Sequence, residues 1–146
     1  MMKENDSILV FEDFTASGEK DKCIISEAEA LIFALLDDLS EYNVDLVINE
    51  SYEDAVKDYE NVNAILIDGD ILDWLKVNAA NFTNAIFIAA ENNNNLFNIT
   101  KILEENNVNI YNSSSEACLI ASDKSQSYEA LSNVVPQPRS FRFKID

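Results

Sequence analysis

Histidine is absent from this 146-residue chain, and cysteine, glycine and proline each occur only twice. Without His, and with Cys23 and Cys118 far apart, no zinc-ligand spacing is present. Two such cysteines read as reduced thiols of a cytoplasmic protein that behave as small apolar residues. The shortage of glycine excludes more. A dinucleotide site of the usual kind needs closely spaced glycines at the first strand–helix turn, so that backbone can approach a pyrophosphate. That turn reads Phe14-Thr15-Ala16-Ser17-Gly18-Glu19, with Gly18 alone, and no Walker lysine is present. Positive charge is also scarce: 10 Lys and Arg stand against 27 Asp and Glu, a net charge of −17. Nucleic acids and anionic membranes attract basic surfaces, so neither is an expected partner. No apolar run reaches the roughly 18 residues of a membrane span. The polar start, Met1-Met2-Lys3-Glu4-Asn5-Asp6, leads straight into an apolar run, so no signal peptide is expected.

Short apolar runs recur instead: Ile8-Leu9-Val10-Phe11, residues 44–48, Ala64-Ile65-Leu66-Ile67, residues 85–89 and Val108-Asn109-Ile110-Tyr111. They are rich in β-branched residues and nearly continuous, as strands buried on both faces are. Between them the spacing is helical. Ser26-Glu27-Ala28-Glu29 has the form of a capping box, which predicts a helix starting at Ser26. Leu31, Ile32, Leu35, Leu36 and Leu39 then make one apolar stripe. Further helices are predicted from Ser51-Tyr52-Glu53-Asp54, around Ile71, Leu72, Trp74 and Leu75, and from Leu96 to an end near Asn106-Asn107. The alternation predicts an α/β fold, a doubly wound parallel sheet of about five strands. Two short helices, near 114–120 and 123–132, and a strand near 140–143 would follow.

In such a sheet ligands sit at the carboxyl ends of the strands. The residues expected there form an acidic, amide-rich rim: Glu12-Asp13, Asn49-Glu50, Asp68-Gly69-Asp70, Ala90-Glu91-Asn92 and Asn112-Ser113-Ser114. The long first turn, from about Phe14 to Ile25, offers Thr15, Ser17 and Gly18 as donors to a substrate carboxylate, or is simply a solvated loop. Glu91 is placed to orient an ammonium or hydroxyl group. Ser114 stands where a helix start either binds an anion or is merely capped. Roughly one residue in eight is Asn, clustered at Asn92-Asn93-Asn94-Asn95, which reads mostly as compositional bias in a residue suited to loops and caps. Glu12, Asp13 and Asp68 together resemble the acidic site of a response-regulator receiver. The expected Ser/Thr after the fourth strand is Ala89 or Ala90, however, and the lysine after the fifth is replaced by Asn112-Ser113. The phosphate switch then lacks its electrostatic partner.

The tail differs in charge. From Ala121 onward four basic residues face three acids, leaving the first 120 residues at −18. It opens with Ser122-Asp123-Lys124, where Ser122 would cap a helix and Asp123 would suit the positive end of its dipole. Tyr128, Leu131 and Pro136-Gln137-Pro138 follow. That order of elements resembles the passage from the first domain of an ATP-grasp ligase into its nucleotide-binding part. Three further stretches support the likeness: residues 8–18, Phe87-Ile88-Ala89-Ala90-Glu91-Asn92 and Tyr111-Asn112-Ser113-Ser114-Ser115-Glu116-Ala117-Cys118. They resemble archaeal ATP-grasp ligases of the tyramine–glutamate type, from methanofuran biosynthesis.

The resemblance implies a Rossmann-like pre-ATP-grasp domain over residues 1–121 and the beginning of an ATP-grasp domain, truncated, over 122–146. It implies an ATP-dependent carboxylate–amine ligase working through an acyl phosphate. Lys124 would contact ATP, and Glu12, Ser17, Glu91, Asn92 and Ser114 would hold a small amine or amino-acid substrate. The glycine-rich flap, a second nucleotide lysine and the Mg²⁺ ligands of the family lie later in such chains, so this chain is expected to be inactive alone and to supply neither catalytic residues nor metal ligands. The alternatives are a free-standing small-molecule-binding domain and the receiver-like switch.

Overall fold

The structure, a computed structural model, describes residues 7–141 and 143. Five parallel strands form one sheet: β1 (Ile8–Glu12), β2 (Val44–Asn49), β3 (Val62–Ile67), β4 (Asn84–Ile88) and β5 (Asn109–Ile110), in the order β3-β2-β1-β4-β5. The parallel α/β sheet expected from the apolar runs is therefore present. In β1 every residue is buried. Side chains alternate between the two faces of a strand, and each face has its own core. Ile8 and Val10 pack with Val44, Leu46 and Ile48 against Ile32 and Leu36 of α2 (Lys22–Asp38). Leu9 and Phe11 pack with Val47, Ala85 and Phe87 against α4 (Ile71–Asn78) and α5 (Asn95–Glu105). The Phe11 and Phe87 rings stack there with centroids 5.2 Å apart.

β5 is short because a side chain takes over its pairing. Asn112 Nδ2 donates to the Phe87 carbonyl at 2.9 Å, and its Oδ1 accepts from the Phe87 N–H at 3.4 Å. One amide thus answers both backbone groups of a β4 residue, where a further β5 residue would otherwise pair.

Several expected boundaries shift, each for a local reason. The predicted loop over 14–25 is mostly helical. Glu12 caps a short helix, α1 (Asp13–Ser17), which ends on Gly18 in the left-handed region at φ 71°. α2 then begins at Lys22, not Ser26, because the Asp21 carboxylate accepts from the Cys23 N–H at 2.9 Å. The Ser26 capping-box pattern lies inside the helix. After β2, Asn49 caps a 3₁₀ turn at Glu50–Tyr52 that runs into α3 (Glu53–Val56). α5 ends as expected, with Asn107 at φ 59°. α6 (Ser115–Ser122) and α7 (Lys124–Leu131) follow. Asp123, not Ser122, caps α7, accepting from the Ser125 and Gln126 N–H groups at 2.7 and 3.1 Å. The Ser122 hydroxyl instead donates to the Leu119 carbonyl at 2.8 Å, closing the last turn of α6. Of the strand expected at 140–143, Ser140, Phe141 and Phe143 lie in no strand, and Arg142 is outside the described residues. Lys144 and Asp146 of the basic tail and the polar start at Met1–Asp6 are outside them too.

Candidate functional site

The strand order reverses between β1 and β4, and α/β sheets bind ligands at the carboxyl ends of strands where such a reversal opens a crevice. β1 ends at Glu12, paired with Ile88, the last residue of β4. The Glu12 carboxylate is buried, accepting from the Phe14 and Thr15 N–H groups at 3.2 and 2.8 Å. Thr15 is buried, and its hydroxyl donates to the Glu12 carbonyl at 3.1 Å. Neither Thr15 donor is therefore left for a substrate, contrary to the expectation for that turn.

The next residue is different. Asp13 keeps only 7% of its surface exposed, and Asn95 Nδ2, at the start of α5, donates to its Oδ2. Burial pushes the Asp13 carboxyl up to about 6, the Asn95 hydrogen bond opposes the rise, and the nearby charges of Glu12 and Asp70 add to it. Among the described residues Asn95 is its one hydrogen-bonding partner, and Asp13 lines a cleft of about 720 Å³. Ser17, Gly18, Asp70, Asn92 and Asn95 share that cleft. The Ser17 hydroxyl oxygen accepts from the Ile71 N–H at 3.1 Å, joining α1 to α4. A Cβ at Gly18 would lie 2.8 Å from Asn49 Nδ2, so the close approach of α1 to β2 requires glycine. Asp70 caps α4, accepting from the Leu72 N–H at 2.8 Å.

A second hollow, about 330 Å³, continues from the first through shared walls at Phe14, Ile24, Ala90 and Asn92. Its remaining lining is largely apolar, with Ala28, Leu31, Ile88 and Ala89, beside Glu12 and Glu27. Of the residues expected to hold a substrate, Ser17 and Asn92 thus meet in the polar cleft, and Glu12 and Asn92 in the trough. Glu91 is exposed and lines a smaller pocket of about 180 Å³ with Asn112, Ser113 and Cys118. Ser114 serves as the N-cap of α6, accepting from the Ala117 N–H at 3.3 Å. Asp68 is exposed just beyond β3, an edge strand separated from β1 by β2, so the receiver-like grouping of Glu12, Asp13 and Asp68 is not assembled. Asp13 and Asp70, expected on the rim, and Asn95, expected only as part of the asparagine cluster, also line the cleft, although none of the three was expected to hold a substrate.

Lys124 occupies a separate place. It is exposed at the first turn of α7 and lines a pocket of about 580 Å³ with Tyr128, Leu131, Gln137 and Pro138. Gln137 Nε2 donates to the Tyr128 carbonyl at 2.9 Å and folds the tail back on the helix. Among the described residues no cluster of three or more His, Cys, Asp or Glu could hold a metal ion, and no helix is long and apolar enough to cross a membrane.

The chain is 34% identical over 144 residues to the tyramine–L-glutamate ligase of Methanocaldococcus fervens, which covers 94% of this chain and 49% of that protein. With the tyramine–L-glutamate ligase of Methanocaldococcus jannaschii the identity is 35% over 141 residues, covering 92% of this chain and 45% of that one. Over most of its length the chain is a homologue of tyramine–L-glutamate ligases. It spans about half the length of these relatives. A crystal structure described as an ATP-grasp superfamily protein, from Archaeoglobus fulgidus, superposes with a TM-score of 0.74 at 19% identity, over 92% of this chain and 42% of that one, and so shares the fold. No protein-family model matches the chain. The likeness to these ligases thus holds over more than nine-tenths of the chain.

Proposed function

We propose that this chain is the substrate-binding and scaffold part of an ATP-dependent carboxylate–amine ligase. In this reading residues 1–121 are the pre-ATP-grasp domain and 122–146 open the nucleotide-binding domain. The observation that carries it is 34–35% identity to two tyramine–L-glutamate ligases over more than nine-tenths of the chain. A ligase of this class activates a carboxylate as its acyl phosphate with ATP and passes the acyl group to an amine. The amine and the amino acid in the relatives' name indicate the substrate chemistry: an aryl-alkyl amine and an acidic amino acid. Location in the cytoplasm of an archaeon, in methanofuran biosynthesis, belongs to the same reading.

The residues present fit part of that machinery. Lys124 is a mobile cation on an open pocket and suits the phosphates of ATP from one side. Ser17 and Asn92 in the cleft and Glu12 in the trough would meet the substrates, with Glu91 on a separate pocket and Ser114 at the cap of α6 as further contacts of the same reading. The described residues do not fit a Mg²⁺ site, having no cluster of three acids. Phosphoryl transfer depends on positioning and metal electrostatics, so this chain by itself is expected not to turn over.

The test is a chimera in which this chain replaces the residues it matches in the Methanocaldococcus jannaschii relative. ATP-dependent joining of an amine to an amino acid should survive, and Lys124→Ala should weaken ATP binding about tenfold or more, the loss of one charge-assisted hydrogen bond. A chimera that folds but does not hydrolyse ATP in the presence of both substrates would refute the reading. A second reading, a free-standing small-molecule-binding domain, draws on the fact that the polar cleft is formed entirely within this chain. It requires the chimera to fail while the cleft still binds a ligand.

A further inference from the structure

The ligase reading leaves open which group on the rim holds the amine. The strand-end acids are not equivalent. Glu12 spends both carboxylate oxygens on the N–H groups of α1, and Asp70 spends Oδ1 on the N–H groups of α4. Glu91 is solvated and stands in a different pocket. Asp13 is the exception: it is buried, it gives one oxygen to Asn95, and it borders the cleft at the β1/β4 reversal. The hollow that opens from that cleft is apolar where the cleft is polar. Carboxylate and trough together match a molecule with a cationic head and an apolar tail.

Resting on the ligase reading, we propose that Asp13 anchors the ammonium group of the amine substrate, that Asn95 positions Asp13, and that the trough at Phe14, Ile24 and Leu31 seats the amine's apolar tail. An ammonium donates to several acceptors at once, and the Ser17 hydroxyl and the Asn92 side chain border the same cleft. The charged groups facing Asp13 are Glu12 behind it, Asp70 from the α4 cap, and Glu19 and Lys20 from the loop before α2. Three of these four are acids, so the cleft favours a cation. Burial disfavours the ionised form of Asp13 until a cation arrives. Amine binding therefore draws off a proton below about pH 6 and weakens as the pH falls through that value. Removing Asn95 removes the hydrogen bond that steadies the ionised form, so the midpoint of that pH dependence should rise.

The test uses this 146-residue chain and 2-phenylethylamine, followed by amide chemical shifts in NMR titrations at pH 7.5 and pH 5. The expected result is saturable shifts around Asp13, Ser17 and Leu96, with affinity falling on the order of tenfold at the lower pH. Methylammonium, which lacks the tail, and 3-phenylpropionate, which lacks the cation, should each bind more weakly. Asp13→Asn should lose about tenfold or more in affinity at pH 7.5 and lose the pH dependence. Asn95→Ala keeps the carboxylate and should shift the pH midpoint upward, a readout that looser packing alone would not move. Glu60→Gln, an exposed acid outside the cleft, should leave both values unchanged. Unchanged affinity in Asp13→Asn, pH-independent binding, or no binding of 2-phenylethylamine at millimolar concentration would each overturn the anchor. These outcomes are separate from the chimera: a chimera that folds but does not hydrolyse ATP would refute the ligase reading and leave an Asp13-dependent amine site standing.

Discussion

Asp13 and Lys124 both begin helices and both line open pockets, but their settings differ. Asp13 follows a strand that is buried throughout and belongs to a helix that packs against α2, β2 and α4. Lys124 begins α7, which has no buried residue and packs on α6. A carboxylate held by a core can be desolvated and aimed before any ligand arrives. A lysine on a solvated helix cannot, and a point charge at such a site contributes on the order of 1 kcal/mol or less. In the reading proposed above, the groups that hold the amine all belong to this chain. The second offers one wall, and most ligand affinity comes from an enclosing pocket.

The largest expected effect sharpens the contrast in packing. Phe87→Ala empties a stacked, fully packed position and should cost about 3–5 kcal/mol in urea unfolding. Leu131→Ala on α7, where the side chain is half exposed, should cost less than about 1 kcal/mol. Equal losses would mean that α7 is as deeply anchored as the sheet. Next is Gly18→Ala. A left-handed φ and a contact at 2.8 Å combine there, so a destabilisation of about 1–3 kcal/mol is expected by the same measurement. Asp123→Ala removes two capping hydrogen bonds and should cost about 1 kcal/mol, seen as faster amide exchange over α7 and little change in the sheet.

Asp13→Asn carries a pH signature. A carboxyl with its folded value raised from 3.8 to about 6 contributes stability that is full below about pH 4 and is lost as the pH rises through about 6. The wild type should therefore lose stability between those values, and Asp13→Asn should lose less. Thermal unfolding at pH 4, 5, 6 and 7.5 reads the difference, and parallel curves for the two proteins would remove Asp13 from its buried, ionisable role. The smallest effect is that of Lys124→Ala on this chain, expected within about 0.5 kcal/mol of wild type.

What could be read in the sequence follows the same division between core and surface. The five apolar runs announced the parallel sheet, most strongly in the central strands β1, β2 and β4, since burial on both faces demands continuous apolar stretches, whereas the edge strands β3 and β5 have no buried residue. Helix starts were harder. Asp21 and Ser26 are both good caps, and the earlier one wins because Lys22 to Ile25 continue the helix without a breaker. Ser122 and Asp123 posed the same ambiguity, settled by the carboxylate that reaches two N–H groups where the hydroxyl turns back to Leu119. The rim was placed correctly, but its roles were not legible. Glu12 and Asp13 are neighbours of one chemical type, and only the geometry of α1 turns one into a cap and the other toward the cleft. Asn95 was hidden in a run of four asparagines, where composition masked the one that reaches Asp13 at the end of the neighbouring strand.

The proposed division between an amine site held within this chain and a nucleotide site that needs further residues is tested most directly by titrating one sample of this chain with two ligands. Calorimetry with 2-phenylethylamine and with MgATP at pH 7.5 should give saturable, Asp13-dependent binding for the amine. For MgATP it should give no saturation at millimolar concentration, in wild type and Lys124→Ala alike. Micromolar MgATP binding that Lys124→Ala abolishes, with no response to the amine, would contradict the account.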